Sequence, residues 1–503
     1  MLDDILNKPG SLKLNNPIAY AILIIIAILT GIIIAKGGLI TAILIAAILP
    51  LLIYLNRFFI LPQVALVSLL FMSFFAIGLT RYIRNVPLGL SIDGLLVISY
   101  IALFFKHFYD KLDLKKIRID LVLFMVIWFI YALFQIVNPE ALSKQAWFYA
   151  MRGMSLYPLL TIPLVILMFN KYKYFNLYLY LWGILSIIGT MKGWMQLTLG
   201  VDFAEQRWLD EVGGVTHMLW GQLRVFSFYS DAGQFGAAQA HAGVVGILIA
   251  LNSKTLRDKI FFTIMAITGF YGMMISGTRG AMIIPMLGFA IYIILRKNIR
   301  VIIIGGIFLV FFYGFFKFTR IGESYYQIQR MRTAFNPAED ASLQVRLANQ
   351  RILKAYLATR PFGGGIGSAG LWGERFSPQG FLAHIATDSW YVQIWAEQGV
   401  VGLLMHLFFM SYILVKASYL VMFKVKDKVL IGKLNAIIAG FVGIMGSSYG
   451  NGVLGQIPTG IIMYMGWSYM FMARELDDEI AHSKKLLSAI PKKSIFSNQF
   501  VNK

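Results

Sequence analysis

Apolar residues in this chain fall in long unbroken runs. Ala21–Ile34, Leu39–Leu55 and Val301–Phe316 carry no charge and are flanked by Lys, Arg, Asn or Pro. Each approaches the ~20 residues an α-helix needs to cross a ~30 Å hydrocarbon layer. Helix is the only reading of such runs, because an open strand in lipid leaves its backbone groups unpaired. No ten-residue stretch alternates at period two, as a transmembrane barrel would require. The pattern predicts about 14 spans. They lie near 18–35, 38–55, 58–80, 87–105, 119–137, 151–169, 174–199, 232–251, 259–277, 280–296, 299–316, 389–415, 429–447 and 452–472. The predicted fold class is an all-α polytopic membrane protein of about 12–14 transmembrane helices, with a large outer loop that contains short helices.

Composition supports this reading. Hydrophobic residues make up 58% of 503 positions and charged residues 14%, against about a quarter charged in an ordinary soluble chain. The net charge of +21 does not point to nucleic acid, because the basic residues sit in short loops where they set topology. With the N-terminus in the cytoplasm, one set of loops carries Lys111, Lys115, Lys116 and Arg118, then Arg296, Lys297 and Arg300, then Lys424, Lys426 and Lys428. The opposite set, with Arg81, Arg84, Lys144 and Arg152 among others, carries roughly half as many basic residues, which fixes the orientation. The basic tail from Lys484 also falls inside. No cysteine is present, so thiolate and disulfide chemistry are excluded. The polar N-terminus shows no cleavable signal, and the first span is expected to direct insertion.

This orientation places two long segments outside, about 200–231 and 317–388. They hold most of the polar residues capable of chemistry, in a compartment without nucleotides. The expected domains are a bundle over 1–316, an outer loop or lid over 317–388, transmembrane helices over 389–472 and a cytoplasmic tail over 473–503. Ionisable residues within spans usually mark ion pathways. Here they are few, with Asp93, Lys192, His241, Glu397 and His406 the main cases, which argues against a coupled transporter.

Several outer residues are candidates for chemistry. Arg279 is the one charge in the tight turn Ser276-Gly277-Thr278-Arg279-Gly280. A snorkelling interfacial anchor accounts for it, and so does a guanidinium set among small residues to grip phosphate. Arg224, just before the eighth span, reads either as a solvated loop charge or as a second anion ligand. Gln344 to Leu357 reads as a short surface helix containing Arg346, ended by Pro361. Phe362-Gly363-Gly364-Gly365-Ile366-Gly367 lacks the Gly-Lys-Ser/Thr of a phosphate loop and reads as a turn. His384 and Asp388 would share a face if one helix ran through both. They could then act as general acid or base, although Asp at a helix start is also an ordinary cap.

Four stretches in order carry a family resemblance: Arg224–Gly236 (RVFSFYSDAGQFG), Ser276–Ala281 (SGTRGA), Arg346–Gly367, and Asp388–Gly402 (DSWYVQIWAEQGVVG). Together they resemble the O-antigen polymerase and O-antigen ligase superfamily, membrane glycosyltransferases that act on polyprenyl-linked glycans. The resemblance implies a GT-C-like helical bundle in the bacterial inner membrane, both termini cytoplasmic, with a periplasmic loop as lid. It implies an undecaprenyl-pyrophosphate-linked donor and metal-independent, inverting transfer with no cofactor. Arg224 and Arg279, with Arg346 third, are then expected to stabilise the pyrophosphate. Glu397 joins them as a substrate ligand, and His384 or Asp388 serves the acceptor hydroxyl. Ligases carry His where this chain has Asp388, which favours polymerase. Ligase to lipid A core or protein, flippase or other transporter, and scaffold are the competing readings. Membrane lipid, a chain-length regulator and a flippase are the expected partners, and nucleic acid is not one.

Overall fold

The computed structural model describes residues 17–84, 86–219, 221–322, 326–333 and 341–489. By internal contacts the chain divides into two compact units, Met1–Val64 and Ala65–Lys503. Among the described residues the first unit is one long helix, α1 (Pro17–Ile60), broken at Gly38, whose φ is 67°. The break falls between the first two predicted spans, at a backbone conformation that glycine adopts without steric cost.

The second unit is helical except for a two-residue hairpin, Met218–Leu219 against Gln222–Leu223. The chain runs through α2 (Gln63–Leu79), α3 (Leu90–Asp110), α4 (Asp120–Phe134), α5 (Lys144–Met168) and α6 (Tyr172–Thr198). After the short α7 (Phe203–Trp208) come α8 (Ala232–Asn252), α9 (Leu256–Ile275), α10 (Ile283–Leu295) and α11 (Ile299–Phe318). The long loop holds α12 (Tyr326–Arg332), α13 (Ala341–Leu357) and α14 (Gly370–Phe376). Then α15 (Trp390–Phe423), α16 (Lys428–Ser447), α17 (Thr459–Phe471) and α18 (Ala473–Ala489) complete the described chain. Eight of the described helices are long and apolar enough to cross a membrane, so the fold is an all-α, multi-pass membrane protein.

Some predicted boundaries move. The third span, expected over 58–80, is split at Pro62, which has no N–H to give a helix. The last, expected from 452, starts at Thr459 after Gly452, Gly455 and Pro458. Most of the predicted basic tail lies outside the described residues, but its start is helical in α18.

α8 is the centre of the unit and is buried along almost its whole length. Lipid supplies no hydrophobic drive between helices, so close packing must hold them, and small residues permit it. α8 carries Gly236, Gly243 and Gly246 among its alanines. A Cβ on Gly269 of α9 would sit 2.6 Å from the Gly243 backbone nitrogen, and one on Gly288 of α10 would sit 3.0 Å from the Ala439 carbonyl of α16. Some polar side chains inside the bundle bond across helices. Gln239 donates to the Ser186 carbonyl at 3.0 Å, and Gln234 to the Thr459 hydroxyl at 3.1 Å.

The spans alternate in direction, so among the described residues one end of the bundle collects 80–84, 86–90, 199–219, 221–231, 276–282, 319–322, 326–333, 341–389 and 448–458. Every outer candidate residue lies at that end.

Candidate active site

A cavity of about 1510 Å³ opens at this end of the bundle. Among the described residues, six arginines and three carboxylates line it. Arg224, Arg279, Arg346 and Asp388, expected from the sequence, are all in the lining.

Arg224 and Arg279 are brought together by the turn between α9 and α10. Gly277 takes a left-handed φ of 58°, and the Thr278 N–H donates to the Ser276 hydroxyl at 3.1 Å. The Thr278 hydroxyl donates to the Ala232 carbonyl at 2.8 Å, tying the turn to the first residue of α8. The same hydroxyl accepts from Arg224 at 3.5 Å, so Thr278 sits between the two arginines. Arg279 opens a short 3₁₀ turn into α10 and donates to Thr333 at 3.1 Å.

Arg224 is held from below. Its backbone N–H donates to the His217 carbonyl and its guanidinium to the Thr216 carbonyl, at 2.8 and 2.9 Å. His217, unremarked in the sequence, also lines the cavity. Its Nε2 accepts the N–H of Ala232 at 3.2 Å, while Nδ1 lies 3.0 Å from the Gly213 carbonyl. Those two contacts require a neutral ring protonated on Nδ1, and burial accordingly pushes its pKa down.

The loop carrying Arg224 rests on Arg81, a second residue with no feature in the sequence to single it out. Arg81 is 5% exposed, and its guanidinium lies 4.4 Å from the ring centres of both Trp208 and Phe226. It donates to the carbonyls of Ser227 (2.8 Å), Tyr229 and Ser230 (3.2 Å). Burial pushes its pKa down to about 10, which leaves it charged at neutral pH. Beside it, burial raises the Asp202 carboxyl, but the Tyr82 hydroxyl, the Glu205 N–H and Lys192 outweigh that and hold it at about 2. This buried network fixes the backbone from 225 to 231.

On the other wall, α13 forms over Ala341–Leu357, as the spacing predicts, and stops before Pro361. Its Arg346 pairs through Nε with Asp388 at 3.2 Å. Asp388 is half exposed and is not the helix cap; Ser389 caps α15 by accepting the Val392 N–H. The helix starts only at Trp390, so His384 and Asp388 do not share a helical face. His384 ends a separate 3₁₀ turn (Phe381–His384), is exposed, and is not in the cavity lining.

Glu397, expected among the substrate ligands, is fully buried away from the lining. It accepts the Ala369 N–H at 3.4 Å. Two residues on, α15 breaks at Gly399, with φ 68°. The glycine-rich run satisfies the carbonyls exposed by this break. Gly364 N–H donates to Ala396 and Gly365 N–H to Glu397, at 2.9 and 2.8 Å, and the Tyr131 hydroxyl donates to Gln398 at 2.9 Å. Unpaired backbone at membrane depth is costly, so the run is a close-packed plug. The sequence reading of a turn described its conformation and not this role.

Two further lining residues were not legible in the sequence. Arg152 sits in a π-helical turn inside α5 and pairs with Asp93 at 2.7 Å. Asn451 packs so close to Gly280 that a Cβ there would lie 2.7 Å from its amide nitrogen. That nitrogen is buried without a hydrogen-bond partner among the described residues. Such a donor at a cavity wall is available to an acceptor in the cavity.

Residues 264–407 match a family model described as O-antigen ligase. The chain is also 25% identical over 344 residues to an O-antigen polymerase of Salmonella muenchen, covering 65% of this chain and 82% of that protein. The family model spans the Arg279 turn, α13 with Arg346, the glycine plug and Asp388, and so takes in part of the cavity wall. The chain is thus similar to the O-antigen polymerase and ligase superfamily, and the likeness supports a membrane enzyme of O-antigen processing.

Proposed function

We propose that the protein polymerises undecaprenyl-pyrophosphate-linked oligosaccharide repeat units at the periplasmic face of the bacterial inner membrane, with both termini in the cytoplasm. The observation that carries this reading is the cavity at one end of the bundle, where Arg224 and Arg279 flank Thr278 and face the Arg346–Asp388 pair. The basic loops at the opposite end of the bundle support this orientation.

In the reaction, an acceptor hydroxyl oxygen forms a bond to the anomeric carbon of the donor glycan, from the face opposite the pyrophosphate. The carbon–oxygen bond to pyrophosphate breaks, and its electron pair leaves on the phosphate. Arg224, Arg279 and Arg346 stabilise the growing negative charge, as fixed donors do best in a site that costs no reorganisation. Asn451 adds a neutral donor. Asp388 accepts the hydroxyl proton; of the two predicted candidates it is the one that lines the cavity, and His384 does not. Glu397 acts through the plug by holding the loop from 364 to 369 in place. The bundle, the loop over 317–388 and the C-terminal helices act as donor scaffold, lid and closing wall. A flippase delivers the donor, and a chain-length regulator is a natural neighbour.

Transfer of a finished glycan to lipid A core or protein is the second reading. The family model over 264–407 carries the ligase description and favours it. The test is a gel of surface and lipid-linked glycan from cells lacking the gene, complemented with wild type or Arg279→Ala. A ladder that collapses to single repeat units, rescued by wild type and not by the variant, establishes a polymerase. An intact ladder retained on the carrier establishes a ligase, and an unchanged profile in every strain refutes both.

A further inference from the structure

The glycine plug does more than seal the break in α15. Gly365 and Gly367 take left-handed φ values of 90° and 84°. Their bare α-carbons press on α5 and the residues just before it: a Cβ on Gly365 would sit 2.6 Å from the Ala141 Cβ, and one on Gly367 would sit 2.5 Å from the Ala146 carbonyl carbon. This draws α14 against α5. Three rings then lie nearly parallel. Tyr149 of α5 stacks on Trp372 at 4.9 Å and 17°, and on Phe376 at 5.4 Å and 8°. Trp372 and Phe376, one helical turn apart, are 6.1 Å apart and 15° from parallel.

Tyr149 and Trp372 line the cavity and are only half buried, and Glu374 and Arg375 of the same helix line it too. An aromatic sheet made only to pack two helices would turn inward. This one stands on the wall of a charged cavity, held flat by its neighbours, with a carboxylate and a guanidinium beside it. A flat π face attracts the weakly positive axial C–H groups of a pyranose ring. A carboxylate alongside can accept two vicinal hydroxyls, and a guanidinium can donate to ring or acidic oxygens. Neither group suits the polyprenyl tail, which offers no hydroxyls.

We propose that Tyr149, Trp372, Glu374 and Arg375 form a sugar subsite, which stacks one pyranose of the repeat unit against Trp372 and holds its hydroxyls with Glu374. This rests on the glycan reading above and adds to it where the sugar, as distinct from the pyrophosphate, is gripped. The two functions are divided between walls: Arg224 and Arg279 take the phosphates, and the α14 face takes the sugar.

Binding to the purified full chain separates them. One probe is a single repeat-unit oligosaccharide, freed of its carrier by mild acid from the producing cell's own glycan. The other is farnesyl pyrophosphate, which has no sugar. Trp372→Ala is expected to weaken the oligosaccharide roughly tenfold or more while leaving farnesyl pyrophosphate within about twofold, with Trp372→Phe close to wild type for both. Arg279→Ala is expected to show the opposite pattern. Oligosaccharide binding unchanged in Trp372→Ala overturns the subsite, and so does an equal loss of both probes, which would mark a purely structural ring. Wild type that binds farnesyl pyrophosphate and not the oligosaccharide also overturns the subsite but leaves the pyrophosphate site standing. Wild type that binds neither refutes the glycan reading itself.

Discussion

The Arg346–Asp388 pair gives the sharpest test, because its structural worth and its proposed functional worth differ by orders of magnitude. The contact is single-point, through Nε at 3.2 Å, with side chains 30% and 53% exposed. Two unit charges at that separation attract by about 1 kcal/mol in a water-like dielectric. Measured pairs of this exposure contribute about 0.2–1 kcal/mol after side-chain ordering is counted. If the pair only ties α13 to the start of α15, then Arg346→Ala or Asp388→Asn costs at most ~1 kcal/mol, about a fivefold change in the unfolding equilibrium. Activity at a temperature well below unfolding would then barely change. If Arg346 faces the pyrophosphate and Asp388 the acceptor hydroxyl, each loss removes charge stabilisation or base catalysis worth about 10²–10³ in rate. The assay is a double-mutant cycle. Thermal midpoints in detergent and initial rates of product formation are measured for wild type, Arg346→Ala, Asp388→Asn and the double variant. The expected result is midpoints within a few degrees of one another, rates down by about 10² or more in each single variant, and a double variant well short of the product of the two losses, because the groups act on one reaction. Rates that fall only in step with the midpoints refute the assignment.

Other outcomes follow from the same structure. Arg279→Ala is expected to lower turnover about 10²–10³-fold, and Arg279→Lys to restore only part of it, because an ammonium cannot reproduce a planar two-nitrogen contact; full rescue by Lys in a turnover assay would refute a directional role. Gly399→Ala forces a side chain into a left-handed backbone position against Pro361 and is expected to cost more than about 2 kcal/mol, read as a lowered thermal midpoint and a protease-sensitive site near residue 363. His217, with its pKa pushed below the usual value by burial, binds fewer protons folded than unfolded. Its contribution is therefore present above the unfolded pKa of about 6.5 and falls away as pH drops toward the folded value. The midpoint of wild type should decline below pH 6.5 more steeply than that of His217→Gln, and matching pH profiles would contradict the neutral, Nδ1-protonated ring.

What the sequence made legible and what it did not divide along a physical line. The all-α, multi-pass character follows from a one-dimensional quantity, run length, which survives without knowledge of any contact. Arg279 was legible for the same reason, as a lone charge in a turn too tight to hide it. Arg81, Arg152 and His217 were not, because their significance lies in partners 146, 59 and 15 positions away, mostly backbone groups that no side-chain pattern announces. Arg81 reads in sequence as one more loop charge. Only the fold reveals that it sits between Trp208 and Phe226 with three backbone carbonyls on its guanidinium. Glu397 shows the converse. Its place in the motif marked it for substrate, yet its carboxylate turns to Ala369 and its carbonyl to the glycine plug. A plug that closes a broken helix is as intolerant of change as a residue that touches substrate, because unpaired backbone at membrane depth is costly. The glycine run, Gly399 and Glu397 therefore form one packed device behind the cavity, while in the proposed reaction the arginines and Asp388 do the chemistry within it. Variants of the first kind are expected to lose stability and activity together, whereas variants of the second lose activity alone.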